Sequence, residues 1–186
     1  MSQQHRLLGI SGSLRADAFS TAVLHALAKA TASKATYEYA DIGAMPHFNQ
    51  DRFVEPLPVT VQRFRGQVTA ADGLLVVSPE YNHGIPGVLK NAMDWASRPH
   101  NHAPLKNKPV LIATCSPAFT GGVRAQYQIR ESLTAALARP VVTPEIIVGL
   151  VDKKIVDGRF RDPAVISFAL NGFAVLFEDI ARFRSR

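Results

Sequence analysis

Four short runs of nearly unbroken aliphatic residues recur along the chain: "RLLGI" at 6–10, "GLLVVS" at 73–78, "PVLIAT" at 109–114 and "EIIVGL" at 145–150. A strand that alternates apolar and polar residues keeps one face in water. A strand that does not alternate must be covered on both faces, which is the condition of a parallel sheet held between two layers of helices. A fifth, weaker run, "TYEYAD" at 36–41, does alternate and belongs at an edge.

Helical patterns lie between the runs. Val23, Leu24, Leu27 and Ala28 share one face; Val88, Leu89, Ala92, Met93 and Ala96 share another; so do Ile129, Leu133, Ala136 and Leu137. The last segment carries the broadest apolar stripe, through Val165, Phe168, Ala169, Gly172, Phe173, Leu176 and Ile180. It opens on Asp162 and Pro163, an N-cap followed by a proline whose missing N–H is not needed in a first helical turn. Strand and helix in alternation predict an α/β fold: a flavodoxin-like, doubly wound, five-stranded parallel sheet of order 2-1-3-4-5 with helices on both faces. "VDKKIVDGRFRD" at 151–162 reads as a small hairpin about its Asp-Gly turn.

At 186 residues with 47% hydrophobic, the chain fills one core and is too short for two, so 1–186 is expected to be a single domain. Neither a continuous apolar stretch of about 18 residues nor a signal-peptide pattern is found, which predicts a soluble cytoplasmic protein with no membrane partner. Cys115 is the single cysteine, so no internal disulfide or paired-cysteine zinc site is possible. His100 and His102 stand two apart without a supporting cysteine or carboxylate, and no metal is expected. The net charge of +6 favours anionic small molecules, but apart from "RFRSR" at the C-terminus the basic residues are scattered, and no nucleic-acid motif accompanies them.

In a doubly wound sheet, ligands bind beyond the carboxyl ends of the strands. That places three loops around one crevice. The first, "SGSLRADAFS" at 11–20, stands at a helix N-terminus, where outward N–H groups and the helix dipole favour an anion. Gly12 suits a tight turn, Ser13 and Ser20 offer hydroxyls, and Arg15 offers a planar fork. The loop lacks G-x-G-x-x-G and G-x-x-x-x-G-K-[ST], which leaves either a monophosphate or a loop in which Ser20 and Thr21 only cap the helix and Arg15 is solvated. In the second loop, "SPEYNHGIP", Pro79, Tyr81 and Asn82 suit a flat heterocycle, while Glu80 either holds the loop's own amides or meets the ligand. In the third, "TCSPAFTGGVRAQY", Gly121 and Gly122 permit close backbone approach and N–H groups there would face developing negative charge. Cys115 has no base beside it and is expected to be unreactive. No acid/base or nucleophilic set emerges, so the chemistry is expected to belong to a cofactor.

"GSLRADAFS" at 12–20, "SPEYNHGIPGVLKNAMDW" at 78–95 and "GGVRAQY" at 121–127 resemble the NADPH-dependent FMN reductase family, with its quinone, chromate and azo-dye reductases, over nearly the whole chain. The resemblance implies bound FMN, NADPH or NADH as hydride donor, and ping-pong transfer to a quinone or an azo, nitro or chromate acceptor. It implies that Ser13, Arg15 and Ser20 hold the FMN phosphate, that Pro79, Glu80, Tyr81 and Asn82 line the isoalloxazine, and that Cys115 and Ser116 lie near the flavin. It also implies a homodimer or homotetramer, with Arg124, Tyr127 and Glu145 placed for contacts between subunits. Arg98, Lys106 and Lys108 are the candidates for the 2′-phosphate of NADPH. The chain departs from the family at Ala18, where a serine is usual, at Ser20, where an asparagine is usual, and at Cys115, commonly serine or threonine. A missing donor weakens FMN by about 1.5–3 kcal/mol, which keeps open a flavin reductase that releases reduced FMN. A non-enzymatic electron carrier or regulator is the other alternative, although carriers are usually acidic and this chain is basic.

Overall fold

The computed structural model describes residues 4–184; Ser185 and Arg186 of the basic terminus lie outside them. Strands β1 (His5–Ser11), β2 (Ala35–Tyr39), β3 (Gly73–Pro79) and β4 (Pro109–Cys115) form a parallel sheet in the order β2-β1-β3-β4. β3 and β4 are buried along almost their whole length, as their unbroken aliphatic runs require. β2 alternates and lies at the edge.

The fifth position departs from the expected single strand. Two short pieces, β5 (Arg139–Pro140) and β6 (Ile146–Val148), pair in turn with β4. Pro140 has no N–H for a ladder, and Thr143 and Pro144 carry the chain out of the sheet before it returns. The order remains 2-1-3-4-5, with the last place shared.

Helices α1 (Phe19–Ala30) and α5 (Pro163–Arg184) cover one face of the sheet, packing Leu24, Leu27, Phe173 and Leu176 against Leu75, Leu111 and Ala113. Helices α2 (Val59–Ala70), α3 (Gly87–Ala96) and α4 (Val123–Ala135) cover the other, where Phe64, Trp95, Ile129 and Leu133 meet Leu74, Val76 and Ile112. Periodicity alone does not single out α2: its buried side chains are Val61, Phe64, Gln67 and Val68, and Gly66 interrupts the pattern. Leu137, expected on the buried face of α4, lies past its end with φ 61°.

Asp162 caps α5 as expected, its Oδ1 accepting from Val165 N at 3.0 Å. Lys154 Nζ lies 2.8 Å from its Oδ2, and these hydrogen bonds, Lys154 first, hold the carboxyl below its ordinary range. Phe168, expected in the core, is 45% exposed. Pro163–Phe183 is long and apolar enough to cross a bilayer by length and composition alone, although polar and charged residues interrupt its apolar run. Here its Ala169, Phe173, Leu176 and Ile180 are core residues. The hairpin forms as expected between β7 (Ile155–Val156) and β8 (Arg159–Phe160), with Asp157 and Gly158 both at positive φ.

Candidate cofactor crevice at the carboxyl ends of the strands

The parallel strands deliver their following loops to one end of the sheet. There Ser13, Arg15, Ala18, Phe19, Ser20, Pro79, Glu80, Tyr81, Cys115, Ser116 and Pro117 line an open cavity of about 210 Å³. Eight of the nine residues assigned to the cofactor from the sequence are among them. Asn82 is the ninth; it sits exposed at the turn beside the cavity.

The first loop leaves β1 through Gly12. This glycine does not need positive φ, as a tight turn would suggest; it needs the absence of a side chain, because a Cβ there would lie 2.4 Å from Ser78 Oγ. The chain then enters α1 through Ala18, an N-cap residue with no side-chain acceptor. Ala22 N bonds Ala18 O at 3.1 Å and Ala18 N bonds Arg15 O at 3.2 Å. Among the described residues no acceptor takes the N–H groups of Phe19, Ser20 or Thr21. These three donors stand at the positive end of a helix dipole, and Phe19 and Ser20 line the cavity beside Arg15, whose guanidinium is exposed and stands 5.9 Å from the Phe19 ring. Ser20 is only 1% exposed, and its Oγ lies 3.0 Å from Ser11 Oγ, which also accepts from Thr21 Oγ1 at 2.8 Å. That cluster ties the start of α1 to the end of β1.

The second loop folds back in a two-residue turn. Tyr81 N and Gly84 N each bond the other residue's carbonyl at 3.0 Å, and Asn82 and His83 both have positive φ, the geometry of a type I′ turn. Tyr81 does not simply offer its ring: its hydroxyl lies 3.0 Å from Ser13 Oγ, across the cavity in the first loop. Glu80 holds backbone amides, but those of α4 rather than those of its own loop. Its Oε2 accepts from Arg124 N at 2.9 Å and Ala125 N at 3.1 Å, and Arg124 Nη1 lies 3.8 Å from its Oε1. The side chain is thus the anion at the N-terminus of α4.

That bond changes the reading of the third loop. Val123 N goes to Thr120 O, and Arg124 and Ala125 N go to Glu80, so the start of α4 has few donors left for a ligand. Its glycines serve packing. A Cβ on Gly121 would lie 2.4 Å from Ile147 Cγ2, and the residue has φ 62°. Cys115 ends β4 in the cavity wall and is otherwise buried; burial pushes its thiol up to about 12, so it carries no thiolate at neutral pH.

The three proposed NADPH contacts lie elsewhere. Lys106 and Lys108 precede β4, at the amino ends of the strands, and Lys108 Nζ is bound by the carbonyls of Thr69 and Ala71 at the end of α2. Arg98 follows α3, whose ten residues carry the chain about 15 Å away from the crevice. A right-handed crossover returns the chain to the far end of the sheet, which loop position read from sequence alone did not take into account. His100 and His102 are exposed at that same far end.

A family model described as NADPH-dependent FMN reductase matches residues 5–152. The chain is 41% identical over 148 residues to a NAD(P)H-dependent FMN reductase of Pseudomonas aeruginosa, covering 80% of each chain. It is 38% identical over 157 residues to a quinone reductase of Escherichia coli K12, covering 83% of each. Among solved structures, the FerB flavoenzyme NAD(P)H:(acceptor) oxidoreductase from Paracoccus denitrificans superposes with a TM-score of 0.84 at 26% identity, over 96% of this chain and 98% of that one.

Proposed function

This chain belongs to the NADPH-dependent FMN reductase family, and on that premise we propose how its residues serve an FMN-dependent NAD(P)H oxidoreductase that acts on quinones. The overall change is NAD(P)H plus quinone plus a proton giving NAD(P)⁺ plus hydroquinone. When bound, FMN supplies the redox chemistry, accepting hydride from the nicotinamide and handing two electrons to the acceptor.

The observation that carries the residue assignment is the open start of α1. Phe19, Ser20 and Thr21 N–H, with Ser13 and Arg15, make a donor set for a dianionic phosphate, and no carboxylate among the residues lining the cavity competes for it, since Glu80 serves α4. Pro79, Tyr81 and the turn at Asn82 would hold the isoalloxazine together with Cys115, Ser116 and Pro117 of the cavity wall. Glu80 acts on the flavin indirectly, by fixing α4 against the second loop. No histidine lines the cavity, so the acceptor's proton comes from water through its open side. One open site serves donor and acceptor in turn, which makes the kinetics ping-pong.

The chain works as a single FMN-binding domain in the cytoplasm, as a homodimer or homotetramer whose second subunit covers the exposed side of the flavin. Arg124, Tyr127 and Glu145 are exposed for that contact, and sedimentation velocity reads the assembly directly.

The test is a visible spectrum of protein reconstituted with FMN, desalted, and mixed anaerobically with NADPH and then with a benzoquinone. A retained flavin band that bleaches and returns supports the proposal; protein that oxidises no NADPH with any quinone in the presence of FMN overturns it. One observation favours a second reading, release of reduced FMN to a partner: Ala18 contributes no side-chain donor, and Ser20's hydroxyl is already bonded to Ser11. Saturation kinetics in free FMN as a second substrate would mark that behaviour.

A further inference from the structure

We propose that Tyr81 is a positioning residue for the flavin phosphate, acting through Ser13 rather than through its ring; this rests on the placement of FMN above. A serine hydroxyl has one proton and two acceptor lone pairs. Ser13 Oγ lies 3.0 Å from the Tyr81 hydroxyl and 3.4 Å from Arg15 N, which donates to it. When Tyr81 donates as well, both acceptor positions of Ser13 are filled. Its proton is then the one bonding capacity left, and it can be satisfied only by an acceptor in the cavity. A hydroxyl that can only donate selects a phosphate oxygen over a water or a neutral hydroxyl.

The placement of both groups agrees with this. Ser13 is 9% exposed and lines the cavity near the start of α1, so its hydroxyl has few orientations open to it. Tyr81 is 46% exposed and is held from below by the type I′ turn, so its hydroxyl bridges from the ring-binding loop to the phosphate-binding loop. The two halves of the FMN site are therefore connected through one hydrogen bond. Loss of the phenol oxygen leaves the ring in place and frees Ser13 to rotate or to bind water.

The experiment compares FMN and riboflavin, which has the same ring and ribityl chain without the phosphate, by fluorescence titration of wild type, Tyr81→Phe, Ser13→Ala and the double variant. Tyr81→Phe is expected to weaken FMN by roughly tenfold and to leave riboflavin within about twofold. In the Ser13→Ala background, Tyr81→Phe is expected to add nothing, because the group it acts through is gone. Equal losses for FMN and riboflavin would place Tyr81's contribution on the ring and overturn the proposal. So would an undiminished FMN loss in the Ser13→Ala background, or unchanged FMN binding by a folded Tyr81→Phe protein. Failure of the cofactor reading itself is separate, since wild type would then bind no FMN at all.

Discussion

Two helices begin at the same crevice, and their N-termini are finished in opposite ways. α4 starts at Gly122 and meets Glu80, whose carboxylate takes the N–H groups of Arg124 and Ala125. α1 starts at Ala18, whose side chain offers no acceptor, and the N–H groups of Phe19, Ser20 and Thr21 have no acceptor among the described residues. Both ends carry the same partial positive charge. One is neutralised by an anion the chain carries itself, and the other has no such partner among the described residues. Two glycines and an acidic residue near a helix start are thus no sign of a ligand site; the absence of an internal acceptor is the better sign.

This contrast can be broken at either end. The largest effect is expected from Ala18→Asp, which gives α1 the internal carboxylate that α4 already has. Ala18 is 4% exposed and lines the cavity, which sets the new carboxylate in the cavity wall next to the start of α1. FMN affinity should fall by more than about a hundredfold while the fold gains about 1 kcal/mol from the cap; a titration and a thermal melt on the same sample read both. Loss of affinity without any gain in stability would mean that the N–H groups are not free. Next, Arg15→Ala should weaken FMN by roughly ten- to a hundredfold and leave the melt unchanged, because the side chain makes no salt bridge within the described residues. Equal losses in binding and stability would assign Arg15 to the fold. The smallest effect is expected from Glu80→Gln, which keeps an acceptor and removes the charge: a loss of about 1 kcal/mol in stability, with FMN binding following only modestly. If FMN binding collapsed while the melt held, Glu80 would be a ligand contact after all.

The strands were legible because burial on both faces leaves a composition that few other arrangements produce; Leu74–Val77 and Val110–Ala113 can hardly be read otherwise. α2 was not, because three apolar side chains around Gly66 make a weak period that only its packing on β1 and α3 completes. In the site, Ser13, Arg15, Pro79 and Tyr81 were legible as residue types suited to a phosphate and a ring, and they line one cavity. The misread basic residues, Arg98, Lys106 and Lys108, failed for a topological reason: nearness to a site motif along the chain says nothing about which end of the sheet a crossover has reached.

By itself, the sequence determined the parallel sheet and its edge strand, because these follow from which segments must be covered on both faces and which on one. The tertiary structure alone decided which polar groups remained available at the crevice. Glu80 and Arg124 are 44 residues apart, and Ser13 and Tyr81 are 68 apart. A donor is free or committed only once the fold has brought its rivals within about 3 Å, and no local pattern records those distances.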